Sequence, residues 1–378
     1  MASRIVCLGL MFAVASAAAC QRAADPQPAG GPPVPFKLGT FERNGQSFVG
    51  LVLRDEQAVD IAQANAAFES SNGAAQRLAA PSDMKEVIAG YDSGWRDRLG
   101  AIAGQVSAAA TPPAYAYPVA SLRTLPPVRP SLQLNGAGNY TEHTEGIAAQ
   151  QQRSGAAPQG PPPSPAVSAP GIWERSEGDP RNNPYLFQKS PTIVIGHNDP
   201  IVMPRGRMNI DFECEFAVVI GRPAKYVPVD RASDYIFGYT AHHDVSDRGG
   251  RGDRAMGGSD WLVGKNHDTF APLGPYVVPK EFFPDPMNTR HVLTLSGMVM
   301  QDSNTSRMTH NIYELLSYSS NLLTLNPGDV IAGGSPAGTN IERADPRWMR
   351  AGDTASCLVE GVGEIVNPVV AEAALSTQ

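Results

Sequence analysis

The chain has 378 residues, 42% of them hydrophobic, and a net charge of −7. That length allows one large or two moderate domains with a full apolar core. The acidic balance and the lack of any long basic block argue against a nucleic-acid partner, and an acidic substrate would need a local positive site.

Arg4 followed by the apolar and small residues Ile5 to Ala19 reads as an export signal over residues 1–20. The stretch is too short for a membrane span and polar sequence follows it. It ends in Ala17-Ala18-Ala19-Cys20. Two readings stand for Cys20: the lipid-attached cysteine of a bacterial lipoprotein, or an ordinary secretory cut. The expected location is therefore exported, periplasmic, with a lipid anchor if Cys20 is modified.

Residues 21–35, rich in Pro, Gly and Ala, read as a flexible tether. Short strand patterns begin at Phe36, and Asn44-Gly45 predicts a hairpin. A helical region with broken periodicity spans about 61–108, and the whole of 36–125 reads as a small N-terminal α+β domain. A larger domain follows over 126–372. It carries a Pro-rich excursion at about 150–170, which cannot order itself around a core of its own. Beyond the excursion come the strand patterns SPTIVIG, FECEFAVVIG, YIFGYTAHHDV, APLGPYVVP, RHVLTLSGMVMQ and DVIAGG. Ser233-Asp234 reads as the opening of a short helix, and Ile312 to Leu323 as an amphipathic one. Many short strands with Gly and Pro turns give the α+β class, β-rich, in a sandwich or roll and not a βαβ repeat. No Gly-x-Gly-x-x-Gly follows a strand and no P-loop occurs, so no nucleotide site is indicated.

The run DFECEFAVVIGRP places Glu213 and Glu215 two residues apart, on one face of a strand. Two adjacent carboxylates repel unless a positive group lies between them. With Asp244 from GYTAHHDVS they make three hard oxygen ligands, suited to Mg²⁺, Mn²⁺ or Ca²⁺ rather than zinc. The competing reading is a solvated strand face. Phe212, Cys214 and Phe216 take the other face. There Cys214 is expected to be a buried free thiol, since two body cysteines (Cys214 and Cys357) are no disulfide framework.

Other residues carry two readings each. Lys265, among apolar residues, is a substrate-charge partner or a snorkelling surface lysine. The glycine-rich turn Gly333 to Gly338, with Ser335, is a carboxylate cradle or a tight turn closing a β-unit. It is not a nucleophile elbow, because Ala337 occupies the second glycine position. His143 is a general base or a surface histidine on a helix. His242 shares the face of Asp244, most simply as an outer histidine that touches no metal.

Taken in order, FECEFAVVIGRP, SDYIFGYTAHHDVSDR, GKNHDTFAPLGPYVV, SGMVMQDSNTSRM and LNPGDVIAGGSPAG resemble the fumarylacetoacetate hydrolase family, with GNYTEH and LFQKSPTIVIGHNDPIVMP upstream. The resemblance covers about 130–370, more loosely the start at 36. It implies a mixed β-sandwich roll, a homodimer, and a divalent metal (Mg²⁺ first, Mn²⁺ or Ca²⁺ as alternatives) held by Glu213, Glu215 and Asp244. It implies a substrate role for Lys265, for Gln301 and Thr305 in a Gln-x-x-x-Thr segment, and for Gly334 and Ser335, where the family has Thr-Gly-Thr-Pro. Related members place a glutamate three residues after the histidine, one helical turn on. Here that position is Gly146, leaving Glu142 and Glu145 as neighbours by spacing and Glu342 as a further candidate. The implied function is metal-dependent C–C bond hydrolysis of a 2-oxo or 1,3-dicarbonyl carboxylic acid. Isomerisation, hydration and decarboxylation are alternatives because all pass through an enolate. An exported binding protein without catalysis is a third reading.

Overall fold

Asn44-Gly45 closes the first hairpin of the computed structural model, which describes residues 33–155, 168–174, 176–252 and 260–373. Both turn residues have positive φ, 53° and 77°, the mirror-image turn that matches strand twist. The flanking strands Lys37–Arg43 and Gln46–Leu53 pair from Arg43↔Gln46 outward. The predicted export signal, most of the tether and residues 156–167 of the Pro-rich excursion lie outside the described residues.

The hairpin opens a long mixed sheet. Lys37–Arg43 pairs with Ala271–Pro279, so the N-terminal strands run on into the strands of the C-terminal half. From there the order continues through Ile236–His243, Cys214–Ile220, Val330–Ala332, Gln133–Gly136 and Leu186–Lys189. Every residue of Cys214–Ile220 and of Ile236–His243 is buried, as expected for strands covered on both faces. One cover is a second sheet of five strands, ordered Met298–Asn304, Arg290–Leu295, Thr354–Val359, Gly363–Ala371 and Ile201–Met203. The architecture is thus strand-rich α+β, as the sequence predicts.

Three helices pack beside the N-terminal strands: Ile61–Ser71, Met84–Ala89 and Trp95–Ala108. Asp60 and Asp83 cap the first two by accepting from Gln63 N and Glu86 N. Trp95, Leu99, Ile102 and Val106 form the buried stripe of the third. The amphipathic helix runs Ile312–Leu322 and is opened by a full capping box between Asn311 and Glu314. Among the described residues no helix is long and apolar enough to cross a membrane.

Two expectations are corrected. Ser233-Asp234 does not open a helix; it lies near the end of a 3-10 turn, Val229–Tyr235. Cys214 is no free thiol: it is bonded to Cys357. Cys357 lies on Thr354–Val359 of the second sheet, so packing the sheets brings together cysteines 143 residues apart in sequence. Neither strand's own pattern encodes that facing.

Candidate metal centre and active site

Strand pairing assembles the acidic trio. Glu213 immediately precedes Cys214–Ile220, and Glu215 is that strand's second residue. The neighbouring strand pairs Cys214↔His243 and Glu215↔His242. Asp244 follows directly, and its N–H donates to the Glu213 carbonyl at 2.8 Å. One ligand oxygen from each of the three acids lies within 4.8 Å of the others. Exposure decides between the two readings of the pair: Glu213 is 4% exposed and Glu215 and Asp244 are 0%. This is no solvated strand face.

Three cations surround the acids. Lys265, the last residue of the short helix Trp261–Lys265, is buried, not snorkelling. Its Nζ donates to Glu213 Oε2 at 2.6 Å, Asp244 Oδ2 at 2.7 Å and Ser246 Oγ at 2.7 Å, and lies 4.9 Å from the centre of the Phe187 ring. Lys189 bonds Asp244 and donates to the Val245 carbonyl at 3.0 Å. Arg248 bonds Glu213 and, at 3.2 Å, Asp211. Burial opposes ionisation of Asp244, yet Lys189 and Lys265 hold its carboxyl well below the usual range. Burial lowers the Lys189 ammonium to about 8 against the pull of Asp244.

Glu215 differs from the other acids. It has no cationic hydrogen-bond partner: Oε2 accepts from Gly334 N at 3.0 Å and Asn135 Nδ2 at 3.5 Å. Oε1 is buried with no partner at all. Burial, then the charges of Asp244 and Glu213, push its carboxyl well above the usual range. An orphaned buried carboxylate oxygen beside two more carboxylates is a donor set suited to a hard divalent cation. The residues present therefore fit a metal held by Glu213, Glu215 and Asp244.

His143 is also buried, on the first turn of the helix Thr141–Ser154. The carboxylate that meets it is not Glu142 or Glu145. Glu142 bonds Arg307 at 3.2 Å and Ser303 at 3.3 Å, and Glu145 is exposed. Glu342 Oε1 lies 2.5 Å from His143 Nδ1. Burial works against ionisation of Glu342, but His143, Thr339 and the Gly338 N–H together lower its carboxyl. A turn of helix set the spacing argument, whereas a loop 199 residues away supplies the acid.

Hydrogen bonds tie this pair to the acidic trio. Gln301 accepts from Cys214 N at 2.9 Å and donates to Ser335 Oγ and the Pro336 carbonyl, both at 2.9 Å. Its amide is fully engaged in holding the strand of Glu213 and Glu215 against the Ser335 turn. The Gly334 N–H is likewise engaged on Glu215. Thr305 departs further from the predicted pocket role. Its hydroxyl donates to the Pro286 carbonyl at 2.8 Å and accepts from Thr289 N at 2.9 Å, which commits it to the 286–289 turn. His242 meets the Pro272 carbonyl at 3.0 Å and Gln133 at 3.1 Å, and burial lowers it to about 3.

Sequence reasoning missed Lys189, Arg248, Ser246 and Asn135. Lys189 had a readable signal: it shares a strand face with Phe187, two residues earlier, and both are buried. Arg248 and Ser246 follow Asp244 on irregular backbone, where spacing predicts no direction.

Several known proteins share this arrangement of chain. Over 187 residues it is 39% identical to a mitochondrial oxaloacetate tautomerase of Xenopus laevis, covering 50% of this chain and 58% of that protein. It is 41% identical over 194 residues to an uncharacterised protein of Pyrococcus abyssi, covering 51% of this chain and 83% of that protein. The chain thus matches about 58–59% of the length of the curated tautomerases. The crystal structure of 5-carboxymethyl-2-hydroxymuconate delta-isomerase from Mycobacterium smegmatis superposes with a TM-score of 0.58 at 28% identity, covering 89% of this chain and all of that one. Maleylpyruvate hydrolase from Sphingobium, solved with manganese (II) ion and pyruvate, shares the fold at a TM-score of 0.62 and 24% identity, over 89% of this chain and 100% of that one. The model of the fumarylacetoacetate (FAA) hydrolase C-terminal domain matches residues 138–370, which contain the trio, Lys265, His143 and Glu342, and the chain belongs to that family.

Proposed function

We propose that this protein is a divalent-metal-dependent enzyme that moves a proton at the carbon beside the 2-oxo group of a small oxo acid. The observation that carries the reading is the buried Glu213–Glu215–Asp244 trio with its unpartnered Glu215 oxygen. A divalent cation there supplies Lewis-acid polarisation of an oxo-acid's carbonyl and carboxylate oxygens. Lys265 and Lys189 keep Asp244 ionised and aimed at the site, and Lys265 adds positive charge where an acidic substrate arrives. His143, with Nδ1 on Glu342, is left with Nε2 to take and return the proton.

Within that reaction class we favour keto–enol tautomerisation of an oxaloacetate-type acid. Relatives 37–41% identical bear the name oxaloacetate tautomerase or a family name without an activity, and the solved neighbour at 28% identity is an isomerase. Hydrolysis of a C–C bond in an acylpyruvate-type acid is the second reading. It draws on the buried His143–Glu342 pair, the type of pair that activates a water. The test is a panel of oxaloacetate, acylpyruvates and dienoic 2-oxo acids with Mg²⁺ or Mn²⁺, following enol absorbance and product acids. Metal-dependent enol loss from oxaloacetate without cleavage is expected, and Glu215→Gln should abolish it. Two acids released from an acylpyruvate would establish hydrolysis instead. Undiminished turnover after chelation would overturn the metal-dependent reading altogether.

The buried Cys214–Cys357 bridge supports export to an oxidising compartment as part of the proposal, because disulfides persist there and seldom in the cytosol.

A further inference from the structure

We infer that Glu342 is the positioning carboxylate of His143 and that Gly146 is glycine because Glu342 fills the volume its side chain would need. The inference rests on the reading that His143 transfers the proton. Residues 143 and 146 are three apart on one helix and so share a face. A Cβ built at 146 would stand 2.7 Å from Glu342 Oε2, 3.0 Å from its Cγ and 3.1 Å from its Cδ. A side chain at 146 and the carboxylate of 342 are therefore alternatives for one space beside the same imidazole.

Glu342 is fixed from its own side of that contact. Oε1 accepts from Thr339 Oγ1 at 2.7 Å and Thr339 N at 3.3 Å, and Oε2 from Gly338 N at 3.1 Å. These bonds form the capping box of the 3-10 turn Asn340–Glu342. Arg153, two turns further along the histidine's helix, donates to the Glu342 carbonyl at 2.9 Å. A free glutamate on the helix would have to surrender side-chain entropy to meet the ring, whereas this one is already held. The same loop presents Gly334 N to Glu215 and Ser335 to Gln301. One segment, residues 333–342, thus orients both a metal ligand and the proton-transfer histidine. The carboxylate on Nδ1 fixes the tautomer with the proton on Nδ1, which leaves the Nε2 lone pair for substrate.

The test compares wild type with Glu342→Gln, Gly146→Glu and Gly146→Glu/Glu342→Ala. Glu342→Gln should lower kcat by about 10- to 100-fold, with KM and Mn²⁺ affinity within about twofold, because it loosens the base and leaves the metal ligands alone. Gly146→Glu alone should also be impaired, since two carboxylates then compete for one site. The double variant, with its acid carried on the helix, should recover to within about tenfold of wild type. An independent readout is nitrogen NMR of the His143 ring. The Nδ1-protonated signature should be present in wild type, fade in Glu342→Gln and return in the double variant. If wild type turns over nothing in the panel, the NMR series alone decides the inference, so its failure stays separate from failure of the enzymatic reading. Unchanged kcat together with an unchanged ring tautomer in Glu342→Gln would overturn it.

Discussion

Lys189 holds Asp244 by an ion pair with no solvent access on either side chain. Removing one member of such a pair leaves the other charge buried and uncompensated. Lys189→Met, similar in volume, should therefore cost about 3–5 kcal/mol of unfolding free energy, read from urea denaturation. A loss below about 1 kcal/mol would mean that Lys265 alone suffices for Asp244. The contrast with Glu215 is instructive. Four carboxylates (Asp211, Glu213, Glu215, Asp244) face three cations (Lys189, Arg248, Lys265), and Glu215 is the acid none of them bonds. The uncompensated charge thus falls at the one ligand with a free buried oxygen. Composition gave no hint of this local balance, because the molecule's net charge of −7 is spread over the whole chain.

The strand Cys214–Ile220 is pinned at the residue between its two ligands. Cys214 donates its N–H to Gln301, gives its carbonyl to His291 Nδ1 at 3.0 Å, and bonds Cys357 through sulfur. Because Glu213 and Glu215 flank that residue, fixing it fixes both carboxylates relative to the second sheet. The bridge also closes a loop of 143 residues, long enough for a substantial restriction of the unfolded chain. Cys214→Ala/Cys357→Ala should lose about 2–5 kcal/mol, measured as a lower urea midpoint. A midpoint equal to that of the oxidised protein would show that inter-sheet packing carries the whole anchoring. The single elements themselves were largely readable. Asn44-Gly45 specified its turn, and the helix Ile312–Leu322 followed from its apolar face and its Asn311 cap. Ser233-Asp234 misled because its polar residues end a 3-10 turn instead of capping a helix, and the two patterns look alike locally.

Across the molecule, metal binding and folding should be linked, since only the folded chain holds the three ligands within 4.8 Å. Mn²⁺ at about 100 times its Kd should stabilise the wild type by about 2.7 kcal/mol, seen as a rise in Tm that Glu215→Gln removes. An equal rise in that variant would place the binding elsewhere. The ligand trio was legible in the chain because i and i+2 on a strand share a face, and that rule holds whatever the strand pairs with. The same rule left open whether the face was wet or dry, which depends on a second sheet packed over it. The partner of His143 was beyond such reasoning. Spacing within a helix reaches one turn, and the glycine at 146 read as a missing acid. Alone, the sequence determined the strand-rich class, the turns and the ligand residues, each a consequence of backbone geometry over a few residues. Only the tertiary structure decided the disulfide, the cation around each acid and the carboxylate beside the histidine, because each joins segments 55 to 199 residues apart or sits on irregular backbone.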